Sequence, residues 1–326
     1  MYNPVSLALG EETDFAERVF RRRSDDEFCK KVLRSFFFSI LSPYKGHDQY
    51  HDEDQIPERT SGSQDPSLKP DFPLFYPKTP GRGRVEEPVF DPRELTPEDE
   101  IVFACHPGVP CFNKCCYDVH LVLSPYDFLR LRRALGLSPE AFVERYGEAY
   151  IGEVTQLPVV AVKMNPHDFA CPFLRPEGCS VYADRPSACR IYPLARLLRE
   201  DPETGEIQEI YRLVRETQCK GHYEKRPIRI KDYLKEQGLP RYHYFNDLFG
   251  KLVAKRQQHP ETPLTADQLD LIYVACYDLP RFRKMVETEE IKPSTNLFPE
   301  DLENEERLLE VGIRFVLEKI LARVFG

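Results

Sequence analysis

Two stretches decide how this chain is read. The first is Cys105-His106-Pro107-Gly108-Val109-Pro110-Cys111-Phe112-Asn113-Lys114-Cys115-Cys116. The second runs from Cys171-Pro172-Phe173-Leu174, through Gly178-Cys179-Ser180-Val181-Tyr182, to Arg185-Pro186-Ser187-Ala188-Cys189-Arg190, and Cys219-Lys220-Gly221 closes the set. Eight of the ten cysteines lie between Cys105 and Cys219. Short, irregular spacing rich in Gly and Pro suits a site where sulfurs converge from loops. Neither stretch has the paired Cys-x₂-Cys and His-x₃-His spacing of a zinc finger, nor the Cys-x₂-Cys-x₂-Cys-x₃-Cys-Pro run of small ferredoxins. Eight cysteines would also make four disulfides, but that needs an oxidising compartment, and the acidic start from Met1 to Phe20 lacks the basic-then-apolar order of an export signal. Thiolates bind soft and borderline metals tightly, so the pattern predicts a metal centre with Cys105, Cys111, Cys115, Cys116, Cys171, Cys179, Cys189 and Cys219 as ligands. Adjacent Cys115 and Cys116 diverge unless the backbone turns sharply. They therefore serve two centres, or one of them is a ligand and the other packs.

A thiolate-bound zinc ion or iron–sulfur core leaves excess negative charge that needs hydrogen bonds and nearby cations. Lys114, Arg185 and Arg190 stand beside ligands in sequence and are the candidates for both roles; surface ion pairing is the bland alternative. From Cys105 to Cys219 there are 13 Lys/Arg against 15 Asp/Glu, so no groove for a polyanion is advertised. The full chain of 326 residues carries a net charge of −9, which argues against general nucleic-acid binding. No apolar run approaches the roughly 18–20 residues that cross a bilayer, so a cytoplasmic, non-membrane protein is expected.

Phe103-Ala104-Cys105 through Cys116, then Cys-Pro-Phe-Leu, Gly-Cys-Ser-Val-Tyr, Arg-Pro-x-x-Cys-Arg and Tyr192-Pro193, resemble the YkgJ-like cysteine-cluster proteins, zinc- or iron-chelating domains with a Cys-x₂-Cys-x₂-Cys-Cys signature. The resemblance covers about residues 103–222, and its second half is the more specific. The first half departs from the signature: five residues separate Cys105 from Cys111, and three separate Cys111 from Cys115. What the resemblance implies is a bound metal in a bacterial-type protein. Some relatives are similar to enzymes that methylate flagellin lysines and are thought to carry an iron–sulfur centre. It thus implies an iron–sulfur cluster, [4Fe–4S] in kind, with a redox or cluster-assisted role. Two alternatives remain: a zinc-stapled structural or interaction protein, and a protein lysine N-methyltransferase-like enzyme. The last would need an S-adenosylmethionine site, and no Gly-rich loop reveals one. No catalytic residue is assigned, a protein partner is possible, and the oligomeric state is open.

Outward from the cysteines, the expected fold class is α+β and mainly helical: an irregular Cys-rich, metal-organised module with short strands, followed by a helical C-terminal region. Four parts are expected: an N-terminal helical segment (1–55), a proline-rich linker or strap (56–99), the cysteine-cluster domain (100–225) and helices packing on it (226–326). Phe15, Val19, Phe28, Val32 and Phe36 predict a helix over 14–41, whereas nine prolines from Ile56 to Glu98 exclude one there. Ser124-Pro125-Tyr126-Asp127 and Ser138-Pro139-Glu140 read as helix starts, and Gly136 as a helix stop. A strand is expected over Val119–Leu123, a buried one over Leu157–Met164, and a hairpin over Leu194–Val214. Helices are expected over Ile230–Gln237, stopped by Gly238 and Pro240, over Tyr242–Gln257, from a Thr265/Gln268 capping box to Tyr277, and over Glu300–Phe325. Cys29 and Cys276 read as small core residues. His47 and His51, at helical spacing, and His106, His167 and His222, near cluster cysteines, are weaker ligand candidates than the thiols. Tyr126, Tyr182 and Tyr192 read as packing groups or donors to sulfur.

Overall fold

The computed structural model describes residues 89–200, 207–295 and 297–325. The helix expected over 14–41, His47, His51, Cys29 and most of the 56–99 segment lie outside the described residues. The strands are β1 (Val89–Phe90), β2 (Glu100–Val102), β3 (Val122–Leu123), β4 (Gly147–Ile151), β5 (Pro158–Val162), β6 (Leu174–Arg175), β7 (Gly178–Cys179), β8 (Leu194–Glu200), β9 (Ile207–Arg215) and β10 (Pro227–Arg229). Helices α1 (Pro125–Ala134), α2 (Pro139–Tyr146) and α3 (Ser187–Ile191) thread the cysteine module. The C-terminal helices are α4 (Ile230–Glu236), α5 (Leu239–Gln258), α6 (Ala266–Tyr277), α7 (Leu279–Glu287), α8 (Pro299–Glu303), α9 (Glu305–Phe315) and α10 (Ala322–Phe325), with a π-turn at Val316–Leu321 before the last. This is the α+β, largely helical class expected.

The local sequence explains most boundaries. Ser124 Oγ accepts from the Asp127 amide at 3.2 Å and the Asp127 carboxylate accepts from the Ser124 amide at 3.1 Å, which opens α1 with Pro125 in its first turn. Thr265 and Gln268 make the same reciprocal bonds at the start of α6. Pro240 does not stop a helix. It sits in the first turn of α5, where a missing N–H costs nothing, while Gly238 turns the chain at a φ of 66°. The single helix expected over Glu300–Phe325 is broken at Asn304, whose backbone is extended and whose side chain accepts from the amides of Glu306 and Arg307, both at 3.1 Å. Asn competes with the helix for backbone donors, and here it wins.

Three antiparallel strands in the order β3-β5-β4 form one sheet, and β5 is buried along its whole length. Helix α6 lies against β5, and α1 packs between α5 and α6. Tyr126 stacks on Phe245 at 4.4 Å between ring centroids, and Phe128 meets Phe142 and Tyr277 edge-on at 5.0 and 5.5 Å. Leu309, Ile313, Val316 and Ile320 are all buried in the same core. A second sheet has the order β1-β9-β8, with Val89 opposite Arg215 and Leu194 opposite Leu213. It is fixed to α5 by Arg196, only 2% exposed, which grips Glu209 on the neighbouring strand and Asp247 on the helix. Burial alone would disfavour a guanidinium; two carboxylates make this one tolerable. No helix among the described residues is long and apolar enough to cross a membrane.

Asp127 does more than cap α1. Its carboxylate, 2% exposed, also accepts from the Ser187 amide at 2.7 Å and the Ser187 hydroxyl at 2.9 Å, at the start of α3. One side chain therefore holds two helix starts, and α3 carries Cys189. Burial raises its carboxyl above the usual range, against the pull of these four hydrogen bonds. Asp127→Ala is expected to cost about 2–4 kcal/mol in urea unfolding, because it removes a cap and strands buried donors. Asp127→Asn should cost less, since an amide oxygen still accepts. Equal midpoints for wild type and Asp127→Ala would refute the double-cap account.

Glu94 gives the pH dependence. It forks onto Arg199 at 2.5 and 2.9 Å and reaches Arg212 at 3.2 Å, which binds the segment before β2 to the β8–β9 hairpin. The Arg199 hydrogen bonds hold its carboxyl below the usual 4.5. A carboxyl lowered in the folded state contributes stability that is present above its unfolded value and lost as the pH falls below it. Between pH 6 and pH 3, wild type should lose more stability than Glu94→Gln. Parallel acid-unfolding curves would contradict the fork.

Candidate metal centre

The first cysteine loop leaves β2 and is pinned at both ends. The Ala104 amide donates to Gly221 O at 3.2 Å, which brings Cys105 beside the segment carrying Cys219. A Cβ on Gly221 would lie 2.6 Å from Ala104 O and 2.7 Å from the Phe103 ring, so only glycine permits this approach. The Lys220 amide donates to Cys111 Sγ at 3.1 Å, which ties the first loop to the Cys219 segment a second time. Behind this corner Phe103 packs edge-on against Tyr192 at 5.7 Å and against Tyr233 at 6.3 Å.

Asn113 then turns the chain. Its φ is 69°, a left-handed conformation that Asn tolerates, and its side-chain amide donates to Arg175 O at 3.2 Å and Pro176 O at 3.3 Å. Those carbonyls belong to the β6–β7 turn, so the first cysteine loop is clamped to the second. A 3₁₀ turn at Lys114–Cys116 follows, and the Cys116 thiol donates a hydrogen bond to Cys115. The Cys171 amide donates to Cys116 O at 2.8 Å, and Leu174 pairs with Cys179. Gly178 takes a φ of 127°, and a Cβ there would meet the Phe112 ring at 3.2 Å, which fixes β7 against the first loop.

Electrostatics follow from this crowding. Burial pushes the Cys105 thiol up to about 11, and the charges of Cys115, Cys111 and Cys219 push the same way. Burial raises Cys171 to about 11 and Cys189 well above the ordinary thiol value. Cys115 is the exception, held down by the hydrogen bond from Cys116, whose own value rises. Cys105, Cys115 and Cys189 are nevertheless exposed. Among the described residues, no three His, Cys, Asp or Glu side chains already converge as a single-ion site.

The three candidate cations differ. Arg185 lies where its charge favours the thiolates of Cys105 and Cys179, while its guanidinium stacks 3.8 Å over the Tyr182 ring. Arg190 is buried and gives its donors to Arg185 O and Gln237 O, both at 2.7 Å, and to Ala183 O; it ties the loop to the end of α4. Lys114 is exposed. Arg175, absent from the sequence reading, acts on Cys171 and Cys179 and holds Pro172 O at 3.0 Å. Its place between two cysteines was the available signal. Tyr192 hydrogen-bonds to Cys219, the donor role open to a tyrosine beside sulfur. Glu216 was also missed: burial pushes its carboxyl up to about 7, which lessens the negative charge it adds beside Cys115 and Cys219.

His106 spends both ring nitrogens, on the Gly108 amide at 3.2 Å and on Glu224 at 3.3 Å. Burial lowers His222 to about 4, so it is neutral at pH 7. His167 is exposed, and Cys276 is buried in the helical core. The donors therefore fit a soft or borderline metal: thiols in number, amide and phenol donors to sulfur, and guanidinium charge nearby. Raised thiols mean that metal loading displaces protons.

The clamp between the loops is testable without knowing the metal. Asn113→Val removes both hydrogen bonds and places a β-branched residue at positive φ. It is expected to lower bound metal per chain at least about twofold, whereas Asn113→Gly, which keeps the turn, should lose less. Elemental analysis of the purified variants reads the result, and unchanged metal in Asn113→Val would remove the clamp from the account.

Residues 104–220 match the family model CxxCxxCC, described as "Putative zinc- or iron-chelating domain". No curated protein and no solved structure matches the chain. The matched span starts at the backbone bond from Ala104 and ends at the amide that reaches Cys111, so it encloses all eight of the clustered cysteines. Over those residues the chain is similar to the CxxCxxCC domain, consistent with the YkgJ-like cysteine-cluster group that its motifs resemble.

Proposed function

We propose that the cysteine domain holds an iron–sulfur centre of the [4Fe–4S] kind and serves a redox or cluster-assisted role. The observation that carries this reading is the concentration of eight thiols in the one matched span. Cys105, Cys115 and Cys189 among them are exposed, and eight thiols are more than one tetrahedral zinc ion uses. When bound, such a centre supplies one-electron chemistry, tuned by hydrogen bonds to sulfur and by solvent exposure.

The chain's own residues provide that tuning. The Lys220 amide and the Tyr192 hydroxyl donate to Cys111 and Cys219, and Arg185 and Arg175 offset thiolate charge. A redox role implies a protein partner that exchanges the electron. The competing reading is a zinc staple, in which the same thiols serve only to close the loops.

Metal and acid-labile sulfide, measured on protein purified without oxygen, decide between them. The expected result is a brown protein with iron and sulfide in equal amounts, bleached by dithionite. Colourless protein with zinc and no sulfide would overturn the iron–sulfur reading. Cys276→Ser should keep its full metal content, because Cys276 lies in the helical core.

A further inference from the structure

We propose that residues 25–41 of this chain form an amphipathic helix that docks on the outer face of the β3-β5-β4 sheet, over Tyr150, Val159 and Ala161. The inference is independent of the metal.

The register separates the two faces of this sheet. Val160 stands opposite Leu123 on β3 and Ala149 on β4, and on that inner face Leu123, Val160 and Val162 join the main core. Helix α6 covers the inner face, where the Tyr277 hydroxyl donates to Leu123 O at 3.2 Å. Side chains alternate along a strand, so Val159 and Ala161 point the other way, with Tyr150 opposite Val159 and Val122 opposite Ala161. Tyr150 Oη and His120 Nε2 lie 2.9 Å apart, so the Tyr150 ring reaches across the sheet toward the β3 side.

Tyr150, Val159 and Ala161 form a cluster of their own, apart from the main core, and it is dry: they are 4%, 2% and 0% exposed. Among the described residues, the partly buried apolar side chain packed on this cluster is Val122, which belongs to the same sheet. A sheet does not dry its own face; the Tyr150 ring needs a layer above it. Helix α6 lies against β5 on the opposite face, so the layer comes from outside the described residues. Those are residues 1–88, 201–206, 296 and 326. Residues 201–206 join β8 to β9 in the other sheet, which leaves the first 88.

Within them, one stretch has the pattern of a helix made to cover a sheet. Ser24 and Glu27 have capping-box spacing, and Asp25 and Asp26 suit a first turn. Phe28, Val32, Phe36 and Ile40 then recur at four-residue steps, and Pro43 follows the end. A helix of that length spans about 25 Å, ample for three strands spaced about 4.8 Å apart. Lys30, Lys31 and Arg34 interleave the stripe, and Glu148, opposite Ala161 on the outer face, offers them a carboxylate. Residues 56–88 are interrupted by proline throughout and carry no such stripe.

The test is a photo-cross-link on the full chain. With p-benzoylphenylalanine in place of Val122, irradiation should join this position to peptides within residues 25–41, identified by mass spectrometry. A mixture of ordinary and nitrogen-15-labelled protein should give single-isotope adducts, as a contact within one chain requires. Adducts elsewhere in the chain, mixed-isotope adducts from a second copy, or no adduct would overturn the assignment. In a second measurement, full-length Phe28→Asp/Phe36→Asp should lose the adduct and melt at least about 4 °C below wild type. An unchanged adduct or an unchanged Tm would equally overturn it. Neither readout involves metal, so these failures would leave the metal-binding reading standing.

Discussion

Crowding thiols into one small volume is the constraint on which the rest of this structure depends. Each sulfur that ionises there loses water and meets the charge of its neighbours, and both effects raise the thiols of Cys105, Cys171 and Cys189. A metal relieves the conflict by taking the place of the protons. The protein relieves it in part with the Lys220 amide, the Tyr192 hydroxyl and the charges of Arg175 and Arg185. A loop-rich module under that strain needs a rigid surround.

The helical part supplies the surround through a few polar ties. Asp127 joins the start of α1 to the start of α3, so a cap deep in the core also sets the position of Cys189. Tyr233 on α4 donates to the backbone of Arg190 and Tyr192, and Arg190 returns hydrogen bonds to the end of that helix. Arg196 performs the equivalent service for the β8–β9 hairpin against α5. Buried polar groups that are fully partnered specify one arrangement where apolar packing alone tolerates several. Here they specify the arrangement around the sulfurs.

Local chemistry was the legible layer. Ser124, Asp127, Ser138, Thr265 and Gln268 announce helix starts because a cap involves residues three apart and little else. The apolar run of β5 announces a buried strand for similar reasons. Pro240 misled because proline breaks a helix interior yet suits a first turn, and the difference depends on where the helix begins. Asn304 misled because a buried stripe continues past it: Leu309, Ile313, Val316 and Ile320 pack as one face although the backbone is interrupted upstream.

The sequence by itself determined that eight thiols belong to one module, that the module is built of loops, and that capped helices follow it. Those conclusions need only residue types and short spacings. Tertiary structure alone decided which cysteine segments are bonded together and which side chains temper the thiols. Cys171 meets Cys116 through a backbone bond across 55 positions, and Cys111 meets the Lys220 amide across 109. Asp127 acts on Ser187 from 60 residues away. Such pairings follow from where the packed core brings the loops, and spacing along the chain carries no record of that path.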